Sequence, residues 1–306
     1  MPALKKLVLE CGVNSLDYLG DRDTSLVERI RSLRTNAAQQ EGIELEIIPY
    51  AGTSGAHRGG RRVKSDNSTL PELIDMLNSA GIPLIYVMNG GLLFEETVLP
   101  DESEIGILDF MSTSASRCGL KNKVVITRRA LLPYLRRTYP VLEVVASCIQ
   151  QTSPRESEPY EAKLQDYDYV VPLNQHTTYE CLKGLAEQAD RLIVFLLLTC
   201  GNTETKFCFS DYLAHEEIPW ETILQQLATN VFDNLIPTGL TPEDSGCNSP
   251  RATLISREHD LAGLIGMGIN KFKITRAQYI MPEDYRKLLG LIREYQPQRG
   301  CRKPSW

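Results

Sequence analysis

The stretch RLIVFLLLTCGNTETKFC, Arg191 to Cys208, decides how the rest of the chain is read. Eight apolar or small residues run from Leu192 to Thr199 without a charge and stop at Cys200. Such a run, preceded by a polar helix-like stretch and followed by Gly201-Asn202, reads as a strand buried on both faces, the kind found in parallel sheets. Cys200 then sits where strand gives way to loop, and Cys208 follows after seven intervening residues. In a (β/α)8 barrel the loops after the strands build the active site. Two thiols at that position suggest a metal site.

Outward from this strand, segments of strand type alternate with segments of helix type. Strands are expected over residues 4–11, 43–50, 83–88, 123–127, 142–148, 168–173 and 271–275. Helices are expected over 24–39, 71–80, 130–138, 178–189, 221–235, 258–267 and 282–295, with Ser68 or Thr69 available to cap the second. Residues 106–110 fit either a strand or part of a helix, and the polar stretch up to Glu161 reads as surface loop. About eight β units within this length predict a TIM-like (β/α)8 barrel, irregular in places. It would form one domain over residues 1–296, with a flexible tail at 297–306. The rival, an open doubly wound sheet, lacks its usual nucleotide signals: there is no GxGxxG after the first strand and no Walker loop.

Composition narrows the function. The chain has 306 residues, 42% hydrophobic and 24% charged, enough for one large core. A formal net charge of -6 argues against coating nucleic acid, and tyrosines and tryptophans are scattered without basic–aromatic interleaving, so nucleic acid gets no direct support. The amino terminus, MPALKKLVLECG, lacks a signal-peptide pattern, and no apolar run approaches the roughly 20 residues of a spanning helix. The reading is a soluble cytoplasmic protein without membrane insertion, acting on a small molecule. Its eight cysteines are then reduced thiols rather than a disulfide framework.

Cys200, Cys208 and Cys247 are the metal-ligand candidates, since the contexts TETKFCFSDY and EDSGCNSPR give a thiol no packing role. Thiolates suit zinc or an iron–sulfur cluster, and a cluster normally takes four. Cys11 and Cys148, both at strand ends, are candidates for the fourth. Cys118, Cys181 and Cys301 read as ordinary free thiols in a loop, a helix and a tail. His176, at a strand end, is either an acid, base or substrate ligand, or part of the cap of the helix starting at Thr178. His215 and His259 read as surface. Arg58, Arg61, Arg62 and Lys64 crowd a glycine-rich loop that would be a solvated loop or an anion-clamping lid. Arg128 and Arg129 follow a strand, so one should point toward the site and the other away. Lys273 and Arg276 add positive charge, and Glu10 is either a general base or half of a buried ion pair.

The segments YDYVVPLNQHTTYECLKGLAEQADRLIVFLLLTC, CFSDYLAH and GMGINKFKITRA resemble the collagenase-like peptidase family. That family includes anaerobic RNA hydroxylases and the paired barrels of oxygen-independent ubiquinone hydroxylation. The resemblance covers the last half of the chain by motif and the first half by strand order. It departs at Thr275-Arg276, where the family places Gly-Arg, and in the cysteine set after Cys208. It implies a TIM-like barrel with a [4Fe-4S] cluster on Cys200, Cys208 and Cys247, completed by Cys11 or Cys148. It also implies hydroxylase-like oxidoreductase chemistry on an anionic or aromatic substrate oriented by Arg128, His176 and Lys273. By that analogy the oxygen comes from an organic donor such as prephenate. Two other readings stay open: a non-catalytic barrel subunit that binds a homologous partner, and a metal-assisted hydrolase. The last lacks HExxH and GxSxG.

Overall fold

Short β-branched runs, IYVM, KVVI and EVVA, alternate with helices throughout the computed structural model, and every strand pairing found between them is parallel. The structure describes residues 5–13, 24–52, 69–88, 100, 102–151, 158–173, 176–196, 258–274 and 282–296. Among them lie β1 (Lys5–Gly12), α1 (Leu26–Asn36), β2 (Ile43–Ala51), α2 (Leu70–Ser79), β3 (Ile85–Met88), α3 (Glu102–Cys118), β4 (Lys123–Ile126) and α4 (Leu132–Thr138). They continue with β5 (Glu143–Ala146), α5 (Tyr160–Asp166), β6 (Tyr169–Val170), α6 (Tyr179–Leu182), β7 (Val194–Phe195), α7 (Glu258–Met267), β8 (Lys271–Ile274) and α8 (Pro282–Tyr295). The strands form one sheet in the order β6-β5-β4-β3-β2-β1-β8-β7. Eight parallel strands joined through helices are the (β/α)8 arrangement of a TIM-like barrel. No described helix is long and apolar enough to cross a membrane.

The chain divides into two compact units. The first comprises Met1–Pro49, Val171–Thr199 and Arg251–Trp306. Here β8 pairs with both β1 and β7, and α7 and α8 pack on one another. Gly268 makes the turn from α7 into β8: it sits at φ 110, Gly268 N–H donates to Ile265 O at 2.9 Å, and Ile269 N–H donates to Leu264 O at 3.1 Å. A side chain would be strained at that φ, so glycine ends the helix where the strand must begin. Gly263 lets α6 approach α7, because a Cβ there would lie 2.9 Å from two ring atoms of Tyr179.

The second unit comprises Tyr50–Val170 and Cys200–Pro250, of which the described part runs from the end of β2 to β6. Its strands are near-continuous apolar runs because helices cover them. Polar clamps hold their amino ends. Asn122 Oδ1 accepts from Leu84 N–H at 2.8 Å and from Asn78 Nδ2 at 3.1 Å, while Asn122 Nδ2 donates to Asn78 Oδ1 at 2.8 Å and to Met111 O at 3.1 Å. Asp168 Oδ2 accepts from Val144 N–H and from Arg136 Nη1, both at 2.7 Å. Buried Lys123 places its ammonium 4.3 Å from the centre of the Tyr169 ring, a cation–π contact.

Several expectations are corrected. Residues 106–110 belong to the long helix α3, whose buried stripe includes Ile107, Leu108 and Met111. A helix that the sequence reading did not expect, α5, begins at Tyr160 where the polar stretch ends and buries Leu164, with Tyr167 buried just beyond its end; residues 152–157 of the stretch lie outside the described residues. The helix expected over 178–189 is a four-residue α6 followed by irregular 3-10 turns across Lys183–Arg191, with non-helical backbone at Leu185 and Gln188. Gly184 falls inside that stretch, where glycine weakens a helix. Thr69 stands at the N-cap of α2 without a side-chain capping hydrogen bond, and Ser68 lies outside the described residues. Cys118 is the last residue of α3 rather than part of a loop. The helix expected over 221–235 and the tail at 297–306 lie outside the described residues.

Asn122→Ala should lower unfolding stability by about 2–4 kcal/mol, because it leaves the buried Leu84 N–H and the Asn78 amide short of partners. Urea unfolding followed by circular dichroism measures the loss.

Candidate functional site

In the first unit the register of β1 against β8 pairs Val8 with Lys271, Leu9 with Phe272, Glu10 with Lys273 and Cys11 with Ile274. Side chains alternate along a strand and match across a parallel pair. Glu10 and Lys273 therefore share one face near the carboxyl ends of their strands, while Cys11 and Ile274 lie on the other. On β7, Phe195 is the register partner of Lys273, and Leu196 N–H continues the ladder to Lys273 O at 3.0 Å. Glu10 is 0% and Lys273 8% exposed. A buried carboxylate and a buried ammonium on adjacent strands, beside an aromatic ring, can hold an anionic group and exchange a proton with it.

Cys11 is sealed behind this face at 0% exposure. Burial, and then the charge of Glu10, push its thiol well above the ordinary range. A metal ligand must be a thiolate, so this surrounding opposes Cys11 as the fourth ligand. His176 is half-buried after β6, and its N–H donates to Leu173 O at 2.8 Å. Burial lowers its imidazole below the usual value, which favours the neutral ring that accepts a proton. The helix cap next to it is Thr178, whose hydroxyl accepts from Cys181 N–H at 3.3 Å. His259 is exposed at the start of α7, as expected.

In the second unit Ser147 N–H donates to Ile126 O at 3.0 Å, so the β4–β5 ladder runs one step beyond the strands. Thr127 and Ser147, both buried, follow Val125 and Val145 by two residues and share their face. Arg128 comes next, half-buried, and opens a 3-10 turn in which Leu131 N–H donates to Arg128 O at 3.2 Å. Arg129 is exposed and forms ion pairs with Glu158 and Asp166. Cys148 is half-buried and starts a 3-10 turn, Cys148–Gln151, at the carboxyl end of β5. Three residues that pattern reading passed over lie behind this turn: Gln150, Lys163 and Tyr167, each 1% exposed. The spacing of Tyr160, Leu164 and Tyr167 is the helical signal that would have found them.

The structure therefore pairs Glu10 with Lys273, and separately places Thr127, Arg128, Ser147 and Cys148 at the ends of two adjacent strands. Cys200, Cys208 and Cys247 lie outside the described residues, as do His215, Arg276, Cys301 and the Arg58–Lys64 loop. No group of three or more histidines, cysteines, aspartates or glutamates that could hold a metal ion occurs among the described residues.

No family model matches the chain, and no curated protein matches its sequence. Among solved structures it is similar to the U32 peptidase Mk0906 at 15% identity, covering 90% of this chain and 93% of that one, with a TM-score of 0.43. A xylose isomerase domain protein from Planctomyces limnophilus is similar at 12% identity, 96% and 98% coverage and a TM-score of 0.40. D-psicose 3-epimerase from Clostridium cellulolyticum H10 is similar at 12% identity, 61% and 73% coverage and a TM-score of 0.35. None of these similarities speaks to chemistry. The chain's own strands define its class, an α/β protein of the (β/α)8 type with ionisable groups near the carboxyl ends of its strands.

Two outcomes follow for the first unit. If Glu10 and Lys273, register neighbours and both buried, act as a charge pair, Glu10→Gln and Lys273→Met should each cost about 3–5 kcal/mol and the double variant should recover part of that loss. Denaturant unfolding of the set measures the coupling. For Cys11, the folded thiol holds its proton to higher pH than the unfolded one. Stability should be constant below the unfolded thiol's pKa of about 8.5 and fall above it, by up to about 1.4 kcal/mol per pH unit from this group. In Cys11→Ala that contribution to the slope should vanish between pH 8 and 10.

Proposed function

We propose that this chain is an enzyme that binds a small or medium anionic or aromatic substrate at the carboxyl ends of its strands. Its finer form is an iron–sulfur-dependent, oxygen-independent hydroxylase. The single observation that supports a catalytic reading is the buried Glu10–Lys273 register pair beside Phe195. Two ionisable side chains taken out of water on adjacent strands are costly and add little to fold stability. At the carboxyl ends of parallel strands, where loop chemistry collects, such a pair is better explained by work on a substrate. In this reading Lys273 neutralises a substrate carboxylate, Glu10 takes or returns a proton, and Phe195 gives the ring of an aromatic substrate an apolar wall. Neutral His176 is a second proton acceptor.

The iron–sulfur part rests on Cys200, Cys208 and Cys247, with a fourth ligand from among the described cysteines. Cys148 fits that role better than Cys11: it is half-buried at a strand end, whereas Cys11 is sealed and its thiolate is opposed by burial and by Glu10. A bound [4Fe-4S] cluster would supply redox or Lewis-acid chemistry.

Anaerobic purification and reconstitution, with iron and sulfide quantified alongside the visible spectrum, tests this form. The expected result is a brown protein with about four irons per chain. Cys200→Ser, Cys208→Ser, Cys247→Ser and Cys148→Ser should each lower the iron content, and Cys11→Ala should not. A colourless protein after reconstitution would remove the hydroxylase form and leave the non-catalytic subunit of a barrel pair as the better account.

A further inference from the structure

Behind the turn that carries Cys148, a buried lysine donates to a buried glutamine. Lys163 Nζ donates to Gln150 Oε1 at 2.8 Å, and Gln150 Nε2 donates to Ile126 O at 3.1 Å and to Tyr167 Oη at 3.0 Å. Lys163 comes from α5, Gln150 from the turn after β5, Tyr167 from the residues entering β6 and Ile126 from the last position of β4. All four belong to the second unit. The Ile126 carbonyl also accepts from Ser147 N–H at 3.0 Å, and Gln150 N–H donates to Ser147 O at 3.1 Å. The turn is thus tied to the end of β4 twice, once through its backbone and once through the Gln150 amide.

A glutamine side chain has two ends of opposite character, and its neighbours choose which way round it sits. Here two acceptors, a carbonyl and a phenol oxygen, face the Nε2 end, and one donor, the Lys163 ammonium, faces the Oε1 end. The lysine and the Ile126 carbonyl together make the opposite orientation unfavourable. Turned over, the amide would set its NH2 against an ammonium and its oxygen against the Ile126 carbonyl.

We propose that Lys163 is a positioning residue: through Gln150 it fixes the direction of the Cys148–Gln151 turn, and so the presentation of Ser147 and Cys148 at the end of β5. The role concerns the turn itself and holds whether or not Cys148 binds iron.

The test reads the turn locally, in the full-length, reduced, metal-free chain. Lys163→Met keeps the length of the side chain and removes the donor. Alkylation of Cys148 by iodoacetamide, followed by peptide mass spectrometry, should quicken by about tenfold in this variant. Cys118, half-buried in the same unit, should keep its wild-type rate, which separates loosening of one turn from loosening of the whole unit. Tyr167→Phe leaves the Lys163–Gln150–Ile126 connection intact and should change the Cys148 rate less than about twofold. If Lys163→Met does not fold, Gln150→Met reads the same connection from its other side. An unchanged Cys148 rate in the folded variant, or equal acceleration of Cys118, overturns the proposal. Loss of iron binding in the reconstitution experiment leaves this result untouched, so the two readings fail separately.

Discussion

Parallel pairing of β1 with β8 is the constraint on which the candidate chemistry depends. The register sets Glu10 beside Lys273 and Cys11 beside Ile274. A slip of one residue would exchange the faces, turning the carboxylate toward the apolar side and the thiol toward the polar one. The apolar residues on the far side make such a slip costly: Leu7, Leu9, Cys11, Phe272 and Ile274 are all buried, and each buried aliphatic or aromatic side chain contributes about 1.5–3 kcal/mol. Hydrophobic burial on one face of the sheet thereby decides where the ionisable groups stand on the other. The turn through Gly268 delivers β8 into that register from α7, so a backbone conformation reserved for glycine lies upstream of the charge pairing.

The second unit shows a division between its two ends. At the amino ends of β3 to β6, side-chain amides, a carboxylate and a cation over an aromatic ring occupy the places where backbone ladders start. At the carboxyl ends of β4 and β5 the polar groups are hydroxyls, a thiol and Arg128, with the Gln150 amide behind them. Conformational entropy is the main cost of ordering a loop. Hydrogen bonds from rigid donors on helices reduce the number of arrangements the carboxyl-end turns can take.

Much of this was legible in the residues. The order of strands and helices was readable because buried parallel strands are short apolar runs and surface helices keep an apolar stripe. Glu258–Met267 and Pro282–Tyr295 appear with the limits expected from their stripes and flanking residues. Several strands, β3 to β7, proved shorter than expected: Leu192 and Ile193 are buried, yet β7 begins at Val194. Apolar composition reports burial, whereas a strand also needs a neighbour to pair with, and one chain segment says nothing of its neighbour. Helix α5 was missed because its buried face includes Lys163, a residue that pattern reading assigns to water. Glu10 and Lys273 could each be picked out as charges at strand ends. That they stand opposite one another depends on a register between segments more than 250 residues apart.

The Asn78–Asn122 clasp has a consequence for how this protein can change over evolutionary time. Because these amides secure β3 and β4 at the end remote from Thr127, Ser147 and Cys148, part of the cohesion of those strands does not rely on which residues follow them. Substitutions in the turns after β4 and β5, Gln150 apart, can then be sampled with less danger to folding. A lineage carrying this clasp is free to try new ligands at one end of the sheet while the other end keeps the strands aligned.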